Sequence, residues 1–161
     1  MANADLPPGT ETHGVSLEEL YRRELLRMVR LAYLMTGSRE ASEDIVQDAF
    51  MRISRRYDSI MYPSMYLRKA VTNGCRSWHR RRRLDGHRVP FQDTDITLPE
   101  DCIEFWESLA QLKGRQRLAL ALRFYDDLSV DDIAAAMSAR PGTVKALLHR
   151  GLAALRDQVV Q

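Results

Sequence analysis

Cysteine is nearly absent from this chain of 161 residues, which contains only Cys75 and Cys102. Two cysteines are too few for a disulfide framework, so we expect both thiols to be reduced. Long apolar runs are also missing, because no stretch approaches the ~20 residues that a membrane-spanning helix needs. The first fifteen residues lack the basic start and apolar centre of a secretory signal. These absences predict a cytoplasmic protein.

The signatures of catalysis are missing as well. The sequence has no glycine-rich phosphate loop and no carboxylate cluster at metal-ligand spacing, which argues against an enzyme acting on nucleic acid. One candidate metal set exists, namely Cys75, His79, His87 and Cys102, of which the first two are spaced i, i+4. No second close pair supports this set, so we predict neither a metal nor a cofactor.

Charge is segregated along the chain, although the net charge is only +2. Residues 61–90 contain eight Arg or Lys and a single acid, Asp85. Residues 91–107 contain six acids and no Arg or Lys, and residues 108–161 are again basic. Two basic blocks separated by an acidic one predict two nucleic-acid contacts with something different between them.

The stretch 128–156 has the pattern of two short helices joined by a tight turn. Ser129 is a natural N-cap with Asp132 at the capping-box position, and Pro141 suits the first position of the second helix. The second helix has an apolar stripe made of Val144, Leu148, Gly151 and Leu155. Its other face carries Arg140, Thr143, Lys145, His149 and Arg150. This pattern predicts a helix-turn-helix that reads nucleic acid, and an ordinary helical hairpin is the alternative.

Two helices are predicted upstream, after a polar tail over residues 1–15 that is expected to be disordered. The first begins at Ser16 and ends at Thr36-Gly37, with an apolar face of Tyr21, Leu25, Met28, Ala32 and Met35. The second is capped by Ser38 and runs to about Tyr57. Its outer face carries Asp44, Gln47, Asp48 and Met51. A merely solvated acidic face is the alternative to a binding surface here.

A third helix is predicted from Pro63, and one of its faces is basic. Leu67, Val71 and Trp78 mark the side expected to be buried. The opposite side carries Tyr66, Lys69, Asn73, Arg76 and Arg80, and the helix ends in Arg80, Arg81, Arg82 and Arg83. Cations interleaved with an aromatic ring and an amide suit phosphates and unpaired bases. A solvated charge run is the alternative.

The remaining segments complete an all-α chain of two small helical domains. Residues 84–101 contain Gly86, Pro90 and Pro99 and are predicted to form a flexible acidic linker. Helices are expected over 102–112 and 116–125, ahead of the helix-turn-helix. No strand pattern exceeds the helical one.

Several stretches resemble conserved regions of bacterial sigma factors. Residues 41–50, Ala-Ser-Glu-Asp-Ile-Val-Gln-Asp-Ala-Phe, resemble the second region. Residues 66–73, followed by Trp78 and the arginines, look like the promoter-melting part of that region. The fourth region is resembled by Leu109-Ala110-Gln111-Leu112, Gln116-Arg117, Leu122-Arg123-Phe124-Tyr125, Ile133-Ala134 and Gly142-Thr143-Val144-Lys145. Two such domains without others are the minimal layout of the extracytoplasmic-function sigma factors.

The resemblance implies a dissociable, non-enzymatic subunit of RNA polymerase that recognises −35 and −10 promoter elements and assists promoter melting. Residues 16–83 would form the region 2 domain, 84–101 the linker and 102–161 the region 4 domain. Implied partners are promoter DNA, an anti-sigma factor, and the β′ clamp helices and β flap of core polymerase. Membrane insertion is not implied.

The resemblance also implies roles for individual residues. Core polymerase would be contacted by Asp44, Gln47, Asp48 and Met51. The −10 element would be contacted by Tyr62, Tyr66, Lys69, Asn73, Arg76, Arg80, Arg81, Arg82 and Arg83. The −35 element would be contacted by Arg140, Thr143, Lys145, His149 and Arg150. In the linker, Asp93 and Asp95 would imitate RNA in the polymerase channel, or would only keep the linker soluble and extended.

The chain departs from the family pattern around its helix-turn-helix. Ser138 stands where the turn usually has Gly, and Arg140 replaces the usual Ser cap. Leu147 replaces an Arg and removes a contact, so family promoter sequences are not carried over. The alternative function is a stand-alone helix-turn-helix regulator. That alternative leaves the basic and acidic helix faces without a role, and no dimerisation element is visible.

Overall fold

The computed structural model describes residues 14–84, 96–97, 100 and 103–160. Across those residues the regular structure is helical and contains no strand, which confirms the all-α prediction. The α-helices there are α1 Leu17–Thr36, α2 Arg39–Arg56, α3 Pro63–Leu84, α4 Ile103–Ser108, α5 Gly114–Phe124, α6 Val130–Met137 and α7 Pro141–Val159. None of these described helices is long and apolar enough to cross a membrane.

Helix α1 begins and ends at the predicted signals. The Ser16 hydroxyl accepts a hydrogen bond from the Glu19 N–H at 3.2 Å, and the Glu19 carboxylate accepts one from the Ser16 N–H at 3.1 Å. This capping box satisfies two N–H groups that a helix start leaves open. At the other end Gly37 has a φ of 73°, a left-handed conformation that glycine adopts without steric cost.

The first three helices pack together as one unit. Ser38 caps α2 as predicted, because its hydroxyl accepts a hydrogen bond from the Ala41 N–H at 3.2 Å. The expected inward residues of α2 and α3 are buried: Val46, Phe50, Ile53, Leu67, Val71 and Trp78. The predicted face of α1 needs one correction, since Tyr21 is 38% exposed. Its ring instead packs edge-on against Phe50, with centroids 5.0 Å apart, and Leu20 is the buried residue of that turn.

The second unit contains α4 to α7, and its first helix is shorter than predicted. The α-helix stops at Ser108 and continues as a 3₁₀ turn over Leu109–Gln111. Aromatic rings hold α4 in place, because Phe105 packs against Phe124 and Trp106 against Tyr125, with centroid distances of 5.6 and 6.2 Å. Helix α5 starts at Gly114, two positions earlier than expected.

The two units pack directly against each other, which the sequence does not predict. Helix α3 contacts both α5 and α6, and α1 contacts α5. Buried apolar residues from both units form one continuous cluster. Two hydrogen bonds reach the last turn of α1. Arg117 Nε of α5 donates across the seam between the units to the Leu34 carbonyl at 2.6 Å. The His79 ring of α3, which belongs to the same unit as α1, bonds the Met35 carbonyl.

Two predictions fall largely on residues outside the described ranges. These are the polar tail over residues 1–15 and most of the acidic linker over residues 84–101, including Asp93 and Asp95. Their roles stay predictions.

Candidate nucleic-acid and polymerase interface

A groove of about 760 Å³ runs between α2 and α3. One wall carries the predicted polymerase-contacting residues Asp44, Gln47, Asp48 and Met51. The other wall carries three of the predicted −10 residues, Asn73, Arg80 and Arg81. The fold therefore places the acidic face of α2 and part of the basic face of α3 on two sides of one groove.

The acidic wall is exposed, as predicted. All four of its residues are open to solvent, and Met51 is 54% exposed. Asp48 forms an ion pair with Arg52 four residues later, at 3.1 Å. Exposed pairs of this kind contribute little to stability, roughly 0.3–0.5 kcal/mol. Asp48 is therefore available to a partner at small energetic cost.

The floor of the groove depends on a close approach of α2 and α3 at Gly74. A Cβ atom placed on Gly74 would lie 2.6 Å from Ile45 Cγ2, which is too short for a non-bonded contact between two carbon atoms. Glycine at this position lets the two helices pack closely enough for their side chains to border the same groove.

Three other predicted −10 residues, Tyr62, Tyr66 and Lys69, do not line the groove. Tyr62 is 46% exposed just before α3 begins. Lys69 is exposed, whereas Tyr66 is half-buried and packs against the core. These side chains lie on the same unit as the groove, and the loop residue Tyr62 is the more exposed of the two tyrosines.

The described side chains of the arginine run, those of Arg80, Arg81 and Arg82, do not share one environment. Arg80 and Arg81 border the groove, whereas the Arg82 guanidinium lies over the Trp78 ring, 5.0 Å from its centroid. Such cation–π contacts hold the side chain near the helix surface. The side chain of Arg83 lies outside the described residues. The described part of the predicted cation cluster is therefore divided between two directions.

Arg76 points away from the groove and toward the second unit. Its Nη1 donates a hydrogen bond to the Met137 carbonyl at the end of α6, at 2.7 Å. A cation at a helix C-terminus is favourable because unpaired carbonyls gather there. Burial lowers the pKa of Arg76, and the nearby Arg115 and Arg80 lower it further. In this packing the Arg76 side chain is therefore bonded to α6.

The helix-turn-helix has the predicted geometry. The Ser129 hydroxyl accepts a hydrogen bond from the Asp132 N–H at 3.1 Å, and Pro141 opens α7. Ser138 ends α6 with a φ of 51°, the left-handed conformation for which the family usually provides Gly. Arg140 makes no side-chain capping bond to α7. The departures of this chain from the pattern it resembles thus have visible structural consequences.

Helix α7 presents the predicted −35 residues outward. Val144, Gly151 and Leu155 are buried and Leu148 is half-buried, as the apolar stripe predicts. Arg140, Lys145, His149 and Arg150 are exposed, and Thr143 is half-buried. Leu147 packs against the core instead of extending to solvent. Unlike Arg76, the exposed −35 residues remain open in this arrangement of the two units.

Sequence reasoning missed the charged residues at the seam. Asp126 is 3% exposed and bonds Arg68 of α3 at 2.6 Å, while Arg27 of α1 contacts its other oxygen at 2.8 Å. Arg117 is 2% exposed, and burial lowers its pKa to about 10. Nothing in the local pattern marks these residues as buried seam contacts, because each partner belongs to a distant helix.

The candidate metal set is not assembled within the described residues. Cys75 is fully buried, and burial raises the pKa of its thiol. The His79 ring is bonded to the Met35 carbonyl, and His87 and Cys102 lie outside the described ranges. Across the part of the chain that is described, no group of three His, Cys, Asp or Glu side chains is placed to hold a metal ion.

Comparison with known proteins identifies both units. Residues 20–84 match the family model for sigma-70 region 2, and residues 102–155 match that for sigma-70 region 4. The RNA polymerase sigma-E factor of Streptomyces avermitilis is 30% identical to this chain over 159 residues, covering 91% of this chain and 88% of that protein. The ECF RNA polymerase sigma factor SigM of Mycobacterium tuberculosis is also 30% identical, covering 87% and 75%.

A solved structure shares the fold across both units. The sigma factor RpoE of Bartonella quintana, crystallised with the anti-sigma factor NepR, matches with a TM-score of 0.68 and 23% identity. The match covers 88% of this chain and 97% of RpoE. Since the family matches follow the chain order of the two units, this chain belongs to the extracytoplasmic-function sigma factors of RNA polymerase.

Proposed function

We propose that the groove between α2 and α3 joins core polymerase to the −10 element, and that α7 reads the −35 element. The single observation that carries this proposal is the groove itself, whose walls are the acidic face of α2 and the basic residues of α3. An acidic wall suits a partner surface that carries basic side chains, and the β′ clamp helices are the proposed partner. A basic wall suits a nucleic-acid strand beside it.

The two proposed DNA contacts differ in chemistry as their targets require. On the −10 side, Tyr62 offers an exposed ring, Asn73 an amide and Arg80 a cation, which suit stacking and hydrogen bonding to unpaired bases. On the −35 side, short and long polar side chains project from one helix, which suits a duplex major groove. Region 4 would also contact the β flap.

The chain is a promoter-recognising sigma factor and not a stand-alone regulator. We further propose that it acts in the cytoplasm without catalysis or cofactor of its own, and that an anti-sigma factor controls it. The hydrogen bond from Arg76 to α6 suggests how this control operates, because the Arg76 side chain can contact −10 DNA only after α6 has separated from α3.

Run-off transcription with purified core polymerase tests the function directly. The full chain should produce discrete start sites on genomic templates only when core polymerase is present, and should bind promoter DNA specifically only in that complex. Specific DNA binding by the chain alone, with no start sites in the presence of core polymerase, would contradict the proposal and favour a regulator.

A further inference from the structure

A second, smaller cleft lies at the seam where α3 faces the beginning of α5. Its volume is about 280 Å³. Its lining residues are Arg76, His79, Arg80, Gly114, Arg115 and Leu118. The first three belong to α3 and the last three to α5, so an occupant would touch both helical units at once.

The cleft concentrates positive charge that its described lining does not balance. Arg76, Arg80 and Arg115 all border it, and no carboxylate is found among the described lining residues. Burial lowers the pKa of Arg76 first, and repulsion from Arg115 and Arg80 lowers it further. The three guanidinium groups are therefore close enough to oppose one another, and an anion between them would relieve that repulsion.

We propose that this cleft binds a small phosphate-bearing anion, of the size of a diphosphate or triphosphate group, which joins α3 to α5. Guanidinium groups bind phosphate oxygens with paired hydrogen bonds and resist neutralisation, so they suit this ligand class. The cleft volume of about 280 Å³ lies just below the range of roughly 300–1,000 Å³ for ligand pockets, which favours a small anion over a polymer. Gly114 opens α5, and the positive end of that helix adds to the same potential.

Binding in this cleft stabilises the closed packing of the two units. The cleft exists only while α3 and α5 lie together, so the anion binds the closed arrangement better and shifts the population toward it. Arg76 borders the cleft and also bonds the Met137 carbonyl. Because Arg76 is proposed to contact the −10 element, an anion that keeps Arg76 in the cleft opposes binding to the promoter. This last step rests on the proposed function, whereas the binding site does not.

Titration of the full chain with inorganic triphosphate tests the site. Calorimetry at constant ionic strength should show one site per chain, and triphosphate should raise the Tm relative to matched sodium chloride. Arg115→Ala should weaken binding about tenfold, because hydrogen bonds to charged groups are the strong ones. Arg156→Ala removes an exposed cation of α7 that does not line the cleft and should leave affinity unchanged.

Several outcomes would overturn the proposal. One is the absence of saturable binding, and another is equal affinity for the wild type, Arg115→Ala and Arg156→Ala. If Arg115→Ala fails to fold by circular dichroism, Arg115→Gln replaces it, because the glutamine keeps an uncharged polar chain there. The second measurement is the affinity of the holoenzyme for single-stranded −10 DNA. Arg115→Ala should spare DNA binding, and equal losses for DNA and triphosphate would make the cleft only part of the DNA surface.

The two proposals fail in distinguishable ways. If the chain does not direct core polymerase to promoters, the run-off experiment fails while the triphosphate titration still succeeds. If the cleft takes no anion, the titration fails while transcription is unaffected.

Discussion

Arg68 and Asp126 are 58 positions apart in the chain, yet the Arg68 Nε atom lies 2.6 Å from Asp126 Oδ2 in the buried seam between the two helical units. The Asp126 side chain is fully buried and that of Arg68 is 10% exposed. Arg27 approaches the second carboxylate oxygen at 2.8 Å. A carboxylate from the region 4 unit is thus held by two guanidinium groups from the region 2 unit.

We expect Asp126→Asn to destabilise the closed packing of the two units. The substitution leaves two guanidinium groups facing a neutral amide, and removal of one partner from a buried ion pair costs about 3 kcal/mol. Denaturant unfolding should show a lower free energy of unfolding, and small-angle X-ray scattering should show a larger radius of gyration. Asp127→Asn is the matched control, because Asp127 is exposed and its φ of 56° suits Asn. A variant as compact and stable as the wild type would contradict the role of this ion pair.

Gly74→Ala should destabilise the region 2 unit by about 1–3 kcal/mol, because a methyl group there overlaps Ile45 and forces the helices apart. The added Cβ would lie 2.6 Å from Ile45 Cγ2. Combining it with Ile45→Ala should recover part of the loss, since that change removes the clashing atom. Thermal unfolding measures both effects. Gly142→Ala is the control, because its Cβ position meets no atom within 4 Å apart from its chain neighbours and the nearby backbone of its own helix, and a loss as large as that of Gly74→Ala would refute the steric explanation.

Ser138→Gly should stabilise the helix-turn-helix, since Ser138 has a φ of 51°. Left-handed backbone costs an L-residue roughly 1–2 kcal/mol, and the added freedom of glycine in the unfolded chain offsets part of the gain. A net gain of up to about 1 kcal/mol is expected in thermal unfolding. Ser138→Ala keeps a Cβ atom and should bring no gain. If both variants change the Tm equally, backbone strain is not the cause.

Asp48→Arg should weaken binding to core polymerase with little effect on stability, because exposed substitutions rarely exceed ~0.5 kcal/mol. Competition binding to core enzyme measures the first effect and thermal unfolding the second. Glu18→Arg is matched to it, since Glu18 also pairs with an arginine four residues later, at 2.6 Å, but on α1. The same core affinity for both variants would exclude the assigned face of α2.

Substitutions on α7 should separate base readout from phosphate contacts. Arg140→Ala or Thr143→Ala should cost ~1–3 kcal/mol and relax preference at one −35 position, as loss of a base contact does. Lys145→Ala and Arg150→Ala should weaken all −35 sequences alike and reduce the salt dependence of binding. Holoenzyme selection from a randomised −35 library distinguishes these patterns. Profiles that keep every preference in both Arg140→Ala and Thr143→Ala would contradict the division.

Local features of this protein follow from the sequence alone. Ser38 and Ser129 cap their helices as predicted, Ser16 caps the first helix at the residue where its helical period begins, and Gly37 ends α1. The exposed faces of α2 and α7 also follow, because helical periodicity depends only on residues three or four apart. The bounds around α4 were less well predicted, since aromatic packing there competes with a weak helical pattern. Family membership likewise follows from motifs that each lie within a few residues.

Only the tertiary structure shows how the two helical units pack against each other. Arg68 and Asp126 are separated by 58 residues, Arg76 and Met137 by 61, and Leu34 and Arg117 by 83. Helical periodicity shows that a residue faces away from the core of its own unit. It does not show whether that residue meets solvent, DNA or the second unit. Arg76 therefore shares a predicted face with Arg80 but bonds α6, and Arg115 completes a basic cleft. These outcomes depend on how α3 meets α5 and α6, which no local pattern encodes.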